Sequence, residues 1–181
     1  MKAFARFILY TLLGWKTIGS FSKDLKKFVL IAAPHTHWLD FPLGIGLKYA
    51  EGLPANYIGK ASLFKPPFGF IFRWLGGAPV DRSKNNNKVD AIVDLFNSRE
   101  KFVLALSPEG TRKLIDPWKT GFYYIAKGAN VPIVMVAMDF ENKQAKISEP
   151  YYLTDNMDED FEVFYKFFKG VKGKIPENFN L

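Results

Sequence analysis

The 181-residue sequence contains no cysteine and only two histidines, His35 and His37. Without cysteine the chain has neither a disulfide scaffold nor a catalytic thiol, and this composition fits a reducing environment such as the cytoplasmic face of a membrane. Two histidines are also too few for a histidine-rich metal centre. A small site made of His35, His37 and Asp40 remains as the metal-binding alternative.

The amino-terminal segment, residues 1–22, lacks a hydrophobic run long enough to cross a bilayer. Its uncharged stretch covers only the nine residues 7–15, whereas a membrane-spanning helix needs about 20. At helical spacing the segment carries an apolar stripe with cations on its flanks: Phe4, Phe7, Ile8, Leu12 and Trp15, with Lys2, Arg6 and Lys16. This pattern predicts an amphipathic membrane-contact helix that lies in the interface; the alternative is a helix packed on the core.

Acidic residues are scarce in the first half of the chain. Residues 1–89 hold thirteen Lys and Arg against four Asp and Glu, whereas residues 90–181 hold twelve against fourteen, within a net charge of +7. A basic half of this kind attracts an anionic membrane, an acidic carrier protein or nucleic acid. Because the sequence has no nucleic-acid-binding motif and no Lys/Arg block longer than a pair, we expect no nucleic-acid partner.

Apolar runs alternate with helical patterns along the rest of the chain. With 48% hydrophobic residues, the chain is long enough for one sizeable core. The patterns predict strands at 27–33, 55–59, 101–106 and 131–139, and helices at 38–50, 88–97 and 118–127, followed by a helix with a core-facing stripe of Phe161, Phe164, Tyr165 and Phe168. We therefore expect a single α/β domain over residues 23–181, with a largely parallel central sheet covered by helices.

The spacing of His35 and Asp40 indicates how these two residues could form a pair. On one continuous helix, five residues at about 100° each would set the two side chains about 140° apart. They can face each other only if the histidine lies on the loop after the strand at 27–33 and the aspartate lies in the first turns of the next helix. There the carboxylate would hold one ring nitrogen and leave the other as a base.

Four motifs occur in order between residues 30 and 140. They are His35-x-x-x-x-Asp40, GGAPVDR at 76–82, EGTR at 109–112 and the apolar VPIV at 131–134. In number and order they resemble the four sequence blocks of the lysophospholipid and glycerol-phosphate acyltransferase family, which makes phosphatidic acid. The chain departs from the family pattern at His37, where a small residue is usual, and at Ser107, where an aromatic residue is usual. These departures leave the identity of the acceptor open.

The resemblance implies an O-acyltransferase that uses a fatty acyl thioester of coenzyme A or of acyl-carrier protein and acylates a lysophosphatidate-like lipid. It implies His35 as the general base, Asp40 as its orienting partner, and no metal or redox cofactor. The positions that match the family's substrate-binding blocks are Lys60, Arg82, Glu109, Gly110, Thr111 and Arg112. Arginine suits a phosphorylated acceptor because its planar fork bonds phosphate oxygens in pairs.

Two alternatives to this function stay open at the level of the sequence. The same chemistry could act on another hydroxylated lipid, such as an ornithine or glycine lipid. The chain could instead be a basic membrane- or nucleic-acid-binding protein without catalytic activity.

Two further stretches have no assigned role in the motifs. Residues 64–75 are rich in aromatic residues and carry basic residues, which predicts either a second membrane contact or the mouth of an acyl tunnel, or else burial in the core. Residues 170–181 show no periodic pattern, and we expect a loose tail.

Overall fold

The computed structural model describes residues 1–80, 88–154 and 156–181, and its centre is one β-sheet. Seven strands of the described chain form this sheet in the order β1-β7-β6-β2-β5-β3-β4, and only the β6–β7 pair is antiparallel. The strands are β1 Lys16–Ile18, β2 Lys27–Ala33, β3 Ala55–Lys60, β4 Gly77–Val80, β5 Phe102–Leu106, β6 Ile133–Asp139 and β7 Gln144–Ile147. The predicted α/β domain with a largely parallel sheet is confirmed.

Helices cover both faces of the sheet. The α-helices are α1 Lys2–Arg6, α2 Asp40–Glu51, α3 Gly69–Trp74, α4 Lys88–Ser98, α5 Gly121–Gly128 and α6 Met157–Phe168. A π-helical stretch, Phe7–Leu12, continues α1, and 3₁₀ turns occupy Ala61–Phe64 and Pro176–Asn178. The helix predicted at 118–127 begins only at Gly121; ahead of it, the Lys119 amide donates to the Pro108 carbonyl, which ties residue 119 to the segment after β5.

Strand β6 shows why the sheet must be covered by other elements on both of its faces. Its side chains alternate between the faces, so that Ile133 and Met135 join one core cluster while Val134 and Val136 join the other. The first cluster includes the aromatic side chains of α6, and the predicted core face is confirmed by the burial of Phe161, Phe164 and Phe168. The second cluster includes Leu9 and Trp15 of the amino-terminal segment.

The amino-terminal segment both packs on the domain and exposes apolar side chains. Trp15 is buried, and β1 pairs with β7 at the edge of the sheet. Residues 1–22 therefore contribute both to the core and to the sheet of the α/β domain. Phe4, Phe7 and Leu12 are each more than half exposed. Within the described ranges, none of the helices combines the length and the apolar character that crossing a bilayer requires.

Residues 170–181 do not form the loose tail that we expected. The Lys172 carbonyl accepts a hydrogen bond from the amide of Phe140, at the end of β6, and the Gly170 amide donates to the carbonyl of Leu181. Phe179 and Leu181 pack against the first core cluster. The prediction failed because single apolar residues that fill gaps in an existing core leave no periodic pattern in the sequence.

Candidate active site

The candidate site lies at the edge of the sheet where the parallel strands end. Register pairs Ile31 of β2 with Leu106 of β5, so the segments that follow these two strands emerge side by side. Loops at the carboxyl ends of strands are the usual place for ligands in such sheets. The loop 34–39 connects β2 to α2, and the segment 107–112 follows β5.

Asp40 is the first residue of α2, and the loop 34–39 folds around its carboxylate. The backbone amides of Thr36 and His37 each donate to Asp40 Oδ2 at 2.8 Å, and His35 Nδ1 lies 3.2 Å from the same oxygen. The Asp40 side chain is almost fully buried, whereas a quarter of the His35 side chain is exposed. The helix amino terminus also favours a negative charge here. The predicted placement of His35 on a loop and Asp40 at the start of a helix is confirmed.

Glu109 joins the two segments of the site. Its Oε1 accepts a hydrogen bond from the backbone amide of His35 at 2.9 Å, and its Oε2 accepts one from the Ser107 hydroxyl at 2.5 Å. Burial raises the pKa of Glu109 above the ordinary value, although the hydrogen bonds from Ser107 and His35 oppose the change. The carboxyl group of Glu109 thus holds the loop 34–39 against the segment that follows β5.

Gly110 turns the chain directly after Glu109. Its φ of +62° lies in the left-handed region, which glycine adopts without steric cost, and an added Cβ would meet the Lys119 side chain at 3.0 Å. Thr111 accepts a hydrogen bond from the Lys113 amide through its hydroxyl at 3.3 Å. The turn therefore directs the next residue, Arg112, towards solvent, where it is exposed.

The remaining predicted substrate-binding residues, Lys60 and Arg82, lie outside the two segments 34–39 and 107–112. Lys60 is exposed at the end of β3, on the same edge of the sheet as His35. Arg82 follows β4 by two residues and falls outside the described residues. Within the described ranges, neither Lys60 nor Arg112 forms a side-chain hydrogen bond or ion pair, so both cations remain available to a ligand.

The two histidines have different surroundings. His37 Nδ1 accepts a hydrogen bond from the Leu39 amide at 3.3 Å, and its ring lies 5.6 Å from the exposed ring of Trp38. His35 faces Asp40 instead. Among the described residues, no group of three or more His, Asp or Glu side chains is arranged to hold a metal ion. The metal alternative stays a sequence-level hypothesis.

Two residues that sequence reasoning left without a role also belong to the site. The Ser107 hydroxyl donates a hydrogen bond to Glu109. Thr36 is 2% exposed, and its side chain contacts a segment that is distant in the sequence. The position of Ser107, two residues before Glu109, could have suggested its contact. No local pattern could have indicated the partner of Thr36, because that partner lies 139 residues away.

Comparison with known proteins shows relatives over much of the chain. A 1-acyl-sn-glycerol-3-phosphate acyltransferase of Salmonella typhimurium is 30% identical over 102 residues, which cover 52% of this chain and 41% of that protein. Its counterpart in Haemophilus influenzae is 27% identical over 135 residues, which cover 71% of this chain and 55% of that protein. The chain therefore spans about half the length of the curated relatives that it matches.

The fold is shared with a solved structure. The 1-acyl-sn-glycerophosphate acyltransferase of Thermotoga maritima superposes with a TM-score of 0.66 at 22% identity, over 93% of this chain and 75% of that one. The family model described as Acyltransferase matches residues 18–139, a range that contains the loop 34–39, Glu109 and the strand β6. Since this match extends over well more than half of the sequence, the protein belongs to the acyltransferase family.

Proposed function

We propose that this protein is an O-acyltransferase of the 1-acylglycerol-3-phosphate type. It moves a fatty acyl group from a coenzyme A or acyl-carrier-protein thioester to the free hydroxyl of a lysophosphatidate-like acceptor. The observation that carries the proposal is the geometry of His35: its Nδ1 faces the buried Asp40 carboxylate at 3.2 Å. Among the described residues, none forms a hydrogen bond with the other ring nitrogen of His35, Nε2.

In the proposed reaction His35 acts as the base through Nε2. It takes the proton of the acceptor hydroxyl while that oxygen attacks the thioester carbonyl, and the Asp40 carboxylate stabilises the imidazolium that results. The tetrahedral oxyanion then collapses, the C–S bond breaks, and the sulfur leaves as a thiolate that recovers the proton. Because a thiolate is a good leaving group, direct attack suffices and no cysteine nucleophile is required.

In the proposed mechanism Glu109 positions His35, which differs from the substrate-binding role that the family resemblance implies for it. Both of its oxygens already accept hydrogen bonds from the protein, one from the backbone of His35 itself. Because Glu109 is buried, the proposed phosphate contacts are left to two exposed cations, Lys60 and Arg112. Arg82 lies outside the described residues and is proposed for the same role from its position in the sequence alone.

The direct test is an acyl-transfer assay on purified protein in detergent or lipid. Acyl-coenzyme A or acyl-carrier protein is offered together with lysophosphatidate, and the product is identified by mass spectrometry. We expect phosphatidic acid with one of the two donors. If neither donor yields product with lysophosphatidate or with another hydroxylated lysolipid, the proposed activity is wrong.

The Arg112→Ala variant should weaken binding of the phosphorylated acceptor. Loss of one charge-assisted contact to phosphate is expected to raise the KM for lysophosphatidate about tenfold or more, with a change of less than twofold in the KM for the donor. Steady-state kinetics with each substrate varied in turn measure both values. Lys113→Ala is the matched control, because it removes an exposed cation from the neighbouring position. Equal effects on the two substrates would contradict the assigned role of Arg112.

We further propose that the protein acts as a peripheral protein on a lipid surface. The stretch 64–75 supports this, because several of its large apolar side chains are exposed: Phe68, Phe70, Ile71 and Trp74. The exposed cations Lys65 and Arg73 lie in the same stretch, as expected for a surface that meets anionic headgroups. Phe4, Phe7 and Leu12 of the amino-terminal helix supply a second exposed apolar group.

The Phe70→Ser, Trp74→Ser double variant should bind vesicles more weakly. Each aromatic side chain that leaves water contributes about 1.5–3 kcal/mol, so we expect the partition coefficient to fall at least about tenfold. Sedimentation with phosphatidylcholine vesicles, with and without phosphatidylglycerol, measures the partitioning. Tyr152→Ser is the control, since Tyr152 and Trp74 are both 66% exposed. Unchanged partitioning of the double variant would exclude this stretch as the lipid contact.

A further inference from the structure

The residue between the two histidines connects the site to a distant part of the chain. Thr36 Oγ1 accepts a hydrogen bond from the backbone amide of Ile175 at 3.2 Å. The backbone amide of the same threonine donates to Asp40 Oδ2 at 2.8 Å. The side chain of Thr36 is therefore bonded to the segment 170–181. The backbone amide of Thr36 is bonded to the Asp40 carboxylate, which faces His35.

Gly173 brings this segment closer to Thr36 than any other residue type would allow. A Cβ at position 173 would lie 2.6 Å from Thr36 Oγ1, 2.8 Å from Thr36 Cγ2 and 3.0 Å from Pro34 Cβ. Gly173 and Thr36 are both buried, so neither has open space into which it could retreat. Close approach of one backbone to another side chain is a reason for glycine at a position that needs no left-handed conformation.

The segment has its own attachments on either side of this contact. Before Gly173, the Lys172 carbonyl accepts a hydrogen bond from the Phe140 amide at 2.9 Å. After it, the ring of Phe179 lies 6.4 Å from that of Trp118. Since β6 ends next to β2 in the sheet, these attachments place the segment directly against the loop 34–39. The segment can thus hold Thr36 in place without depending on the loop for its own position.

We infer that residues 170–181 are a positioning element of the catalytic pair, acting through Gly173, Ile175 and Thr36. Asp40 Oδ2 receives two backbone amides besides the imidazole contact, and one of these amides belongs to Thr36. A shift of Thr36 would withdraw that donor and turn the carboxylate away from His35 Nδ1. The predicted effect on catalysis rests on the proposed function, whereas the predicted effect on the contact between His35 and Asp40 does not.

The test compares four variants of the full chain. Thr36→Val keeps the shape and removes the acceptor, Thr36→Ser keeps the acceptor and removes the methyl group, and Gly173→Ala introduces the clash. Gly121→Ala is the control, because a Cβ there has nothing within 4 Å and its backbone needs no left-handed conformation. The first readout is the tautomer of His35 by ¹⁵N imidazole NMR, in which a His35→Gln sample identifies the signals. The second is kcat and KM in the acyl-transfer assay, and the third is the thermal midpoint.

We expect wild type and Gly121→Ala to hold the His35 proton on Nδ1, facing Asp40. Thr36→Val and Gly173→Ala should lose this single tautomer, and their kcat should fall about tenfold to a hundredfold with KM within about twofold. Thr36→Ser should restore the tautomer and most of kcat. Folded Thr36→Val and Gly173→Ala variants with the wild-type tautomer and kcat would overturn the inference.

Three further outcomes are also decisive. An equal loss in Thr36→Ser and Thr36→Val would overturn the role of the hydrogen bond from Ile175. If Gly173→Ala does not fold, the two Thr36 variants decide, because both are close in volume to the native residue. If wild type transfers no acyl group, the proposed function fails, and the tautomer measurement still tests the positioning of the pair.

Discussion

Replacing His35 with alanine should reduce acyl transfer at least about a hundredfold, because general base catalysis by a positioned side chain typically contributes between 10² and 10⁴. Without the imidazole, no other side chain among the described residues pairs with the Asp40 carboxylate, which then contacts only the backbone amides of Thr36 and His37. The loss should lie in kcat, since the proposed contacts to donor and acceptor are made by other residues. Single-turnover rates with purified wild type and variant, followed by mass spectrometry, measure the effect.

The fold should survive this substitution. The His35 backbone amide, which donates to Glu109, is retained in the variant, and a quarter of the lost side chain was exposed. We expect the free energy of unfolding to change by about 1 kcal/mol or less. His37→Ala is the comparison, since it removes the neighbouring imidazole, whose Nδ1 accepts only the Leu39 amide among the described residues, and its loss of activity should be much smaller. A His35→Ala protein with wild-type turnover would remove the proposed base.

Among the proposed substitutions, Asp160→Ala should cause the largest decrease in the free energy of unfolding. This carboxylate is fully buried on α6 and accepts hydrogen bonds from the Tyr123 hydroxyl of α5 at 3.0 Å and from the Tyr151 hydroxyl at 2.8 Å. The amide and hydroxyl of Thr154 donate to it as well, at 3.0 and 2.9 Å. Removing the buried carboxylate that these donors share is expected to cost about 3 kcal/mol or more, because the buried Tyr123 hydroxyl and the partly buried donors lose their acceptor. Urea unfolding followed by circular dichroism measures this value.

Two controls separate the network from a general effect on α6. Glu162→Ala removes an exposed carboxylate from the same helix and should change stability by less than about 0.5 kcal/mol. Tyr151→Phe removes a single donor and should cost about 1 kcal/mol. If Asp160→Ala unfolds at the same urea concentration as Glu162→Ala, the network does not contribute to stability.

The same network gives stability a defined dependence on pH. Burial alone would raise the pKa of Asp160, but the hydrogen bonds from Thr154, Tyr151 and Tyr123 outweigh it and hold the pKa below the ordinary value. The contribution is therefore complete above the pKa of an unfolded aspartate, about 3.9, and is lost as the pH falls through the lower folded value. Asp160→Ala should accordingly lose less stability than wild type when the pH is lowered through this range.

Much of the fold could be predicted from local patterns. Strand β2 matches its prediction at both ends, and β6 was recognised from residues 131–139, because strands buried on both faces must be apolar at every position. The helix α4 matches the helix predicted at 88–97, in which the apolar residues Val89, Ile92, Val93 and Phe96 repeat at helical spacing. The predictions were weakest where the structure depends on contacts with residues distant in the sequence, as at the start of α5 and in residues 170–181.

The sequence by itself determined the α/β class, the family and the relation of His35 to Asp40. The last of these is local: a loop followed by a helix is the arrangement that lets residues five apart face each other. Only the tertiary structure decided that Glu109 would hold His35 from 74 residues away and that Ile175 would hold Thr36 from 139 residues away. Such contacts follow from the order in which strands join the sheet and from the space left between packed segments. Neither property is encoded in the periodicity of any single segment.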